Sequence, residues 1–265
     1  MTVFHMDLDN TILYSYKRDI GPDKVNVEIY NGREISFVTK RTCEMLEKLN
    51  RRLLLVPTTT RTVEQYERIH LPIGTPKYAL VCNGGILLVD GEEDQSWYEE
   101  SLFLISDART ELEKAYAVLK EEKRREFELR FIRELFLFTK CSEPEAVVDR
   151  LRNKLDAGLV KAFHNGSKVY VIPNILEKGQ AVKRLKNYFL EKGSDKKEYD
   201  GRKVIAAGDS EFDISMLNAA DLAIAPKELR TNGYLSEKTV FMSGKAVFSE
   251  ELLQFVLKLC YNGHK

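Results

Sequence analysis

Val3-Phe4-His5-Met6-Asp7-Leu8-Asp9-Asn10-Thr11 is the stretch that decides the fold. Four mostly apolar residues make a short first strand, and two carboxylates one residue apart follow it. In an open α/β sheet, ligands bind at the carboxyl ends of the strands. Alternation along an extended segment puts the Asp7 and Asp9 side chains on the same side. Two unneutralised carboxylates that close repel, so they need a metal, a shared proton or separate roles. Taken alone, the string also fits a solvated acidic turn. Its meaning depends on what the rest of the chain brings to the same edge.

Further along, Val25–Tyr30 and Arg33–Val38 flank Asn31-Gly32, a pairing that predicts a β-hairpin. Thr39 to Asn50 has helical spacing, with Cys43, Leu46 and Leu49 on one face. Leu53–Val56 is an apolar strand ending at Pro57-Thr58-Thr59-Thr60-Arg61, and a short helix is expected through Glu64 to Ile69. Tyr78–Cys82 is a further buried strand, closed by Asn83-Gly84-Gly85. From about Leu88 the texture changes. A charged helix is predicted over Asp107 to Arg125, a strand over Phe127 to Thr139, a helix from Ser142-Glu143-Pro144, and a second hairpin around Asn165-Gly166. This block is expected to form an inserted α+β domain of about 85 residues. After Pro173 the alternation resumes. A helix runs from Lys178 to Leu190, and the strand Val204–Ala207 leads into Gly208-Asp209-Ser210-Glu211-Phe212-Asp213. A helix through Met216 and Leu217 and the strand Leu222–Ala225 follow. Apolar strands joined by helices predict a parallel sheet covered on both faces.

Composition narrows the function classes. The 265 residues are 43% hydrophobic and 31% charged, an ordinary globular balance. The 41 basic and 41 acidic residues cancel, so no net field favours nucleic acid or a membrane surface. The mixed-sign run Lys120–Arg125 is expected to be a solvated helix face. Cys43, Cys82, Cys141 and Cys260 are scattered with no CxxC pair, which fits a reducing compartment and neither a disulfide framework nor a zinc site. The start has no signal-peptide pattern and no apolar run reaches membrane-spanning length, so a cytoplasmic location is expected.

Asp7/Asp9, Thr58–Arg61 and Asp209/Asp213 all stand at strand ends, and Lys178 opens a helix able to reach the same edge. Their chemistry is complementary. Carboxylates hold Mg²⁺ through hard oxygen ligands. A threonine hydroxyl and backbone N–H groups at a helix start suit a phosphate oxygen. A lysine balances the remaining negative charge. One aspartate is then available to attack phosphorus and another to protonate the leaving oxygen.

These residues resemble the haloacid dehalogenase (HAD) superfamily of phosphotransferases. Its DxDx[TV] motif is matched by Asp7–Thr11, and its Thr-Gly-Arg form of the second motif is resembled by Thr59-Thr60-Arg61. Its Lys-Gly is matched by Lys178-Gly179, and its GDxxxD by Gly208-Asp209 and Asp213. Position of the insert and the Asn83-Gly84-Gly85 lead-in are similar to the Cof-type and sucrose-phosphatase-like branch. The resemblance implies an α/β fold, with a Rossmann-like parallel-sheet core over 1–87 and 173–265 and an inserted α+β cap domain, setting substrate specificity, over 88–172. It implies Asp7 as nucleophile, Asp9 as general acid/base, Thr59 as phosphoryl ligand and Lys178 as the group that steadies both. It also implies Mg²⁺ as cofactor, held by Asp7, the backbone carbonyl of Asp9, and Asp209, with Asp213 holding the metal or its waters. Two departures stand out: Phe212 where relatives carry Asn, and Thr60 where they carry Gly.

Thr60, Arg61, Asn83 and Lys168 are further candidates for substrate contact. Arg61 fits a surface ion pair equally well, Asn83 a turn, and Lys168 a solvated position. His164 lacks ligand partners at metal spacing. The 25–38 hairpin fits either a flap over the site or an edge ribbon. The expected activity is hydrolysis of a small phosphorylated metabolite, a sugar phosphate or related monoester, through an aspartyl-phosphate. Phosphoryl transfer as in a sugar-phosphate mutase, or a non-catalytic phospho-ligand-binding relative, are the alternatives. A small phosphorylated molecule is the expected partner, with no nucleic acid and no membrane; the sequence carries no reading of the oligomeric state.

Overall fold

The structure, a computed structural model, describes residues 2–192 and 203–262. The chain divides into two compact units, Met1–Asp94 with Glu177–Lys265, and Gln95–Leu176. In chain order the first unit contributes β1 (Val3–Met6), β2 (Tyr14–Ser15), β3 (Lys24–Tyr30), β4 (Arg33–Thr39) and α1 (Lys40–Asn50). It continues with β5 (Leu54–Pro57), α2 (Val63–Tyr66), β6 (Tyr78–Val81), β7 (Ile86–Val89) and β8 (Glu92–Glu93). The second unit holds α3 (Gln95–Leu104), α4 (Arg109–Lys120), β9 (Arg130–Ile132), β10 (Phe136–Lys140), α5 (Pro144–Arg152), β11 (Val160–Asn165) and β12 (Lys168–Pro173). The first unit is completed by α6 (Lys178–Lys192), β13 (Val204–Ala207), α7 (Ile214–Ala219), β14 (Leu222–Pro226), β15 (Thr239–Met242) and α8 (Phe248–Asn262).

Five of these strands form one parallel sheet in the order β15-β14-β13-β1-β5. All four residues of β1 are buried, as a central parallel strand requires. Its register sets Met6 beside both Ala207 and Pro57. Asp7, Gly208 and Thr58 therefore leave the sheet side by side. On one face, Val182 of α6 and Met216, Leu217 and Ala220 at α7 pack on Ala206, Ala223 and Ala225. Elsewhere α1 packs against α8.

The hairpin at Asn31-Gly32 forms as the sequence predicts. Tyr30 pairs with Arg33, and both turn residues are left-handed, φ 51° and 72°. The ladder is irregular around Glu28, however. This bulge turns Val27 and Glu28 inward together and leaves Ile29 57% exposed. Thr39 caps α1 through its hydroxyl, which accepts from the Thr42 amide.

Several local expectations are corrected. Phe127 to Thr139 is not one strand: Arg133 and Glu134 adopt left-handed backbone, and β9 turns back on β10. The charged helix stops at Lys120, and the Lys120–Arg125 run is not a solvated helix face, because Glu122 is buried against Arg124 and Arg150. The helix expected through Ile69 ends at Tyr66. Tyr78–Val81 stays out of the parallel sheet. It heads an antiparallel ribbon with β7 and β8 and meets the sheet edge through the Thr58–Leu80 bridge. β8 folds back on β7, so the first unit extends through residue 94.

In the second unit an antiparallel sheet, β11-β12-β10-β9, carries α4 and α5 on one face. Leu137, Val169 and Val171 are buried in it, while the alternating residues Phe138, Tyr170 and Phe163 form a row of rings with centroids 5.2 Å apart at each step. Among the described residues, no helix is long and apolar enough to cross a membrane.

Candidate active site at the sheet edge

Strand geometry places Asp7. Its amide donates to Ala207 O at 2.9 Å, continuing the β1–β13 ladder one residue past the strand. The chain then wraps around Leu8, whose carbonyl accepts from the amides of Thr11, Ile12 and Leu13. Leu8 is buried, Asn10 takes a left-handed φ of 60°, and Asp9 emerges on the surface side of the loop. The two aspartates of the first motif thus lie in different surroundings: Asp7 is buried and Asp9 exposed.

Lys178 is the first residue of α6 and is 1% exposed. A cation at a helix N-terminus opposes the helix dipole, so it requires strong acidic partners. It has them: Nζ donates to Asp7 Oδ1 at 2.5 Å and to Asp213 Oδ1 at 2.6 Å. The remaining oxygen of Asp213 accepts from the Asp209 amide, the Ser210 amide and the Ser210 hydroxyl at 2.9–3.1 Å. Asp213 therefore fixes both the lysine and the loop that carries Asp209. The motif glycines follow from crowding. A Cβ on Gly208 would lie 2.3 Å from Asp213 Cβ, and one on Gly179 would lie 2.3 Å from the Ser215 carbonyl oxygen. Asp209 points one oxygen at the Thr11 hydroxyl, 3.3 Å away.

One oxygen from each of Asp7, Asp209 and Asp213 falls within 4.8 Å of the others. Three carboxylates against one ammonium leave a surplus of negative charge. Burial, followed by repulsion from Asp213, raises the Asp7 carboxyl well above its ordinary range even though Lys178 pulls it down. Burial and Asp213 push Asp209 up to about 7. Lys178 itself is raised: burial opposes its charge, and Asp213 and Asp7 outweigh burial. Hard oxygen donors with excess negative charge are the donor set that suits Mg²⁺.

The second strand end supplies Thr58 to Arg61. Thr58 is buried beneath the edge, and its hydroxyl meets His5 Nδ1 at 3.0 Å and donates to Val56 O. Burial lowers His5 to about 3, so this imidazole stays neutral. Thr59 is fully buried. Its amide donates to Leu80 O, its hydroxyl accepts from the Arg61 amide, and its carbonyl accepts from the Asn83 amide. Asn83 is buried with a left-handed φ of 60°. Thr60 is exposed. Arg61 does not pair with a surface acid alone. Nε and Nη2 clasp Asp9 in a bidentate pair at 2.8 Å each, and Nη1 lies 2.9 Å from Oε2 of the buried Glu28.

Asp7, Lys178, Asp209 and Asp213 are thus drawn into one cluster, and Asp9 is tied to Arg61. Lys168 lies in the second unit, exposed at the start of β12, and His164 is an exposed residue of β11 whose Nδ1 lies 3.3 Å from Gly166 O. Sequence reasoning missed Glu28 and Ser36, which the bulge buries, and Ser210, whose hydroxyl pins Asp213. Glu28 carries no motif signal. A serine three residues before an aspartate, as in Ser210–Asp213, is a capping signature that is readable in principle.

No curated protein matches the sequence. Among solved structures, the sucrose-phosphatase from Synechocystis, bound to sucrose and phosphate, superposes with a TM-score of 0.63 at 14% identity, over 97% of each chain. A protein from Thermoplasma acidophilum gives 0.59 at 14% identity, over 98% of each. A HAD-superfamily phosphatase from Bacteroides thetaiotaomicron gives 0.50 at 16%, over 98% of this chain and 95% of that one. At these identities the likeness is one of fold. The model of the haloacid dehalogenase-like hydrolases matches residues 92–228, more than half of the chain, including Lys178 and the Gly208–Asp213 loop. The chain therefore belongs to the haloacid dehalogenase-like hydrolase family.

Proposed function

We propose that this protein is a Mg²⁺-dependent phosphomonoesterase that acts on a small phosphorylated metabolite through an aspartyl-phosphate on Asp7. The observation that carries this reading is Lys178 Nζ spanning Asp7 and Asp213, with Asp209 beside them, at the carboxyl edge of a parallel sheet. That arrangement holds a nucleophile in place and leaves the cluster short of positive charge.

Asp7, Asp209 and the Asp9 carbonyl would hold Mg²⁺, with Asp213 behind them. When bound, the ion offsets the repulsion between a carboxylate nucleophile and a phosphate dianion. Lys178 orients Asp7 through Oδ1 and adds charge where phosphate oxygens gather. The Thr59 hydroxyl, which accepts from the Arg61 amide and keeps its own proton to donate, is assigned to a phosphoryl oxygen. A carboxylate oxygen of Asp7 bonds to phosphorus as the ester P–O bond breaks, and Asp9 gives its proton to the departing alkoxide. Asp9 then takes a proton from water as that water attacks phosphorus, and the Asp7–phosphorus bond breaks to release inorganic phosphate.

The inserted unit is assigned the discrimination of substrates. Within that unit the half-buried row Phe163–Tyr170–Phe138 offers apolar ring faces, a surface chemistry suited to ring-bearing molecules. With the sucrose-phosphatase likeness, this makes sugar phosphates the first class to test. A panel of phosphorylated metabolites is incubated with the protein, with and without Mg²⁺. Release of inorganic phosphate that requires Mg²⁺ and is lost in Asp7→Asn is the expected result. Isomerised substrate without phosphate release would instead identify a mutase, and no turnover of any substrate by folded protein would remove the reading.

A further inference from the structure

Arg61 is fixed from two sides. Nε and Nη2 hold Asp9, while Nη1 reaches Glu28 Oε2 at 2.9 Å and donates to Gln65 O at 3.3 Å. The three parties differ sharply in exposure. The Asp9 side chain is 51% exposed, that of Arg61 12%, and that of Glu28 0%. Glu28 is held in turn by the Ser36 hydroxyl at 2.6 Å and by Arg68, whose Nε and Nη2 lie 3.3 Å from Oε1.

A half-exposed carboxylate paired with a flexible arginine is usually a weak and mobile arrangement. Here the guanidinium has no freedom to swing, because its far edge is bonded to a buried acid. The hairpin itself does not depend on this contact. It is already joined to the chain beyond α2 by the Arg68 pair, by the His70 amide donating to Val27 O and by the Glu28–Ile69 bridge. What the Arg61 contact adds is a fixed direction for Asp9. We propose that Glu28 is a positioning residue: from the β3–β4 hairpin it anchors the Arg61 guanidinium, which keeps the Asp9 carboxyl in its place, one of the two fork bonds giving way when Asp9 carries the proton for the leaving oxygen. This deepens the reading of Asp9 as proton donor and rests on it. The hairpin thereby acts on chemistry through a buried charge.

Leaving-group chemistry tests the proposal. An alkoxide must receive a proton as the ester bond breaks, whereas p-nitrophenolate departs without one, and kcat/KM reports only the steps through phosphoryl transfer to Asp7. In Glu28→Gln, kcat/KM for a hexose 6-phosphate is expected to fall about 10- to 100-fold, the range of a misplaced general acid, against about threefold or less for p-nitrophenyl phosphate. Arg61→Lys, which keeps the charge and loses the fork, should show the same divergence and serves if Glu28→Gln does not fold. Equal losses on the two substrates, or no loss on either, overturn the proposal. A second readout needs no turnover. In metal-free wild type the Arg61 Nε–H should give a slowly exchanging NMR cross-peak that disappears in Asp9→Asn and in Glu28→Gln. A cross-peak that survives Glu28→Gln overturns the coupling. If wild type hydrolyses neither phosphate, the phosphatase reading falls, and the cross-peak alone decides whether Glu28 holds Arg61 on Asp9.

Discussion

Two regions of the first unit bury carboxylates, and they balance them in opposite ways. At the sheet edge, Asp7, Asp209 and Asp213 share the single ammonium of Lys178, and burial raises Asp7 and Asp209. At the hairpin, Glu28 and Asp9 face the two guanidinium groups of Arg61 and Arg68, with Ser36 completing the set. The second region is electrically closed, and hydrogen bonds with Asp9 and Glu28 raise Arg61 despite its burial. The first is open, in the sense that an added cation relieves it. Charge balance thus separates a cluster able to take up a cation from one that holds a side chain in place.

The largest expected effect lies in the open region. Asp7→Asn should lower kcat by on the order of 10⁴-fold or more, as removal of a nucleophile does. The same change should raise the melting temperature of metal-free protein by removing a repelled carboxylate; a drop would mean that Lys178 outweighs the repulsion. Next comes Lys178→Met, which leaves Asp7 and Asp213 buried without their cation. It should cost about 3–5 kcal/mol in denaturant unfolding without metal. A neutral result would show that the cluster is not short of positive charge.

Mg²⁺ should then separate the two regions directly. At about a hundredfold excess over Kd it should stabilise wild type by about 2.7 kcal/mol, and EDTA should reverse this. Asp209→Asn should abolish most of that gain, while Ser36→Ala should keep it. Equal stabilisation of the Asp209 variant would place the ion elsewhere.

A smaller effect follows from protonation. Folded, metal-free Asp209 keeps its proton to about pH 7, against an ordinary value of 3.8. Folding takes up a proton between those values, so this contribution to stability is complete below 3.8 and is lost as pH rises toward 7. Buried His5 acts in the other direction, its contribution being lost as pH falls below 6.5. The difference between wild type and Asp209→Asn isolates the aspartate: from pH 5 to 7.5, wild type should lose stability relative to the variant. A difference that is constant with pH would contradict the raised carboxyl. The smallest effect belongs to the closed region, where Ser36→Ala should cost about 1 kcal/mol, one hydrogen bond to Glu28, and Mg²⁺ should not restore it.

The open region was legible because its chemistry is written in contiguous strings at strand ends. Asp7–Thr11, Lys178-Gly179 and Gly208–Asp213 each follow or start a predicted element, and β1 joins them through parallel register. The closed region was not. Simple alternation puts Val25, Val27 and Ile29 on one face of β3 and Glu28 on the other, and the bulge overrides that pattern by turning Val27 and Glu28 inward together. Arg61 stood in the sequence as a choice between substrate and a surface acid, since its buried partner lies 33 residues earlier across this irregular ladder. The Phe127–Thr139 hairpin has no turn signature in the sequence, because its turn, Arg133-Glu134, uses charged residues in left-handed conformation instead of Asn-Gly. The last strand and helix, β15 and α8, carry no motif, although Leu252, Leu253 and Val256 bury one face of α8.

His5 sits two residues before Asp7 on the central strand, joined to Thr58 of the neighbouring strand end. The Thr58 hydroxyl spends its proton on Val56 O, so Nδ1 is the donor to Thr58. With the ring held neutral down to about 3, this imidazole is a fixed dipole beneath the strand end that carries Asp7. The floor of the site is therefore proton-silent. An inflection in a pH–rate profile between 5 and 8 should carry no contribution from this histidine.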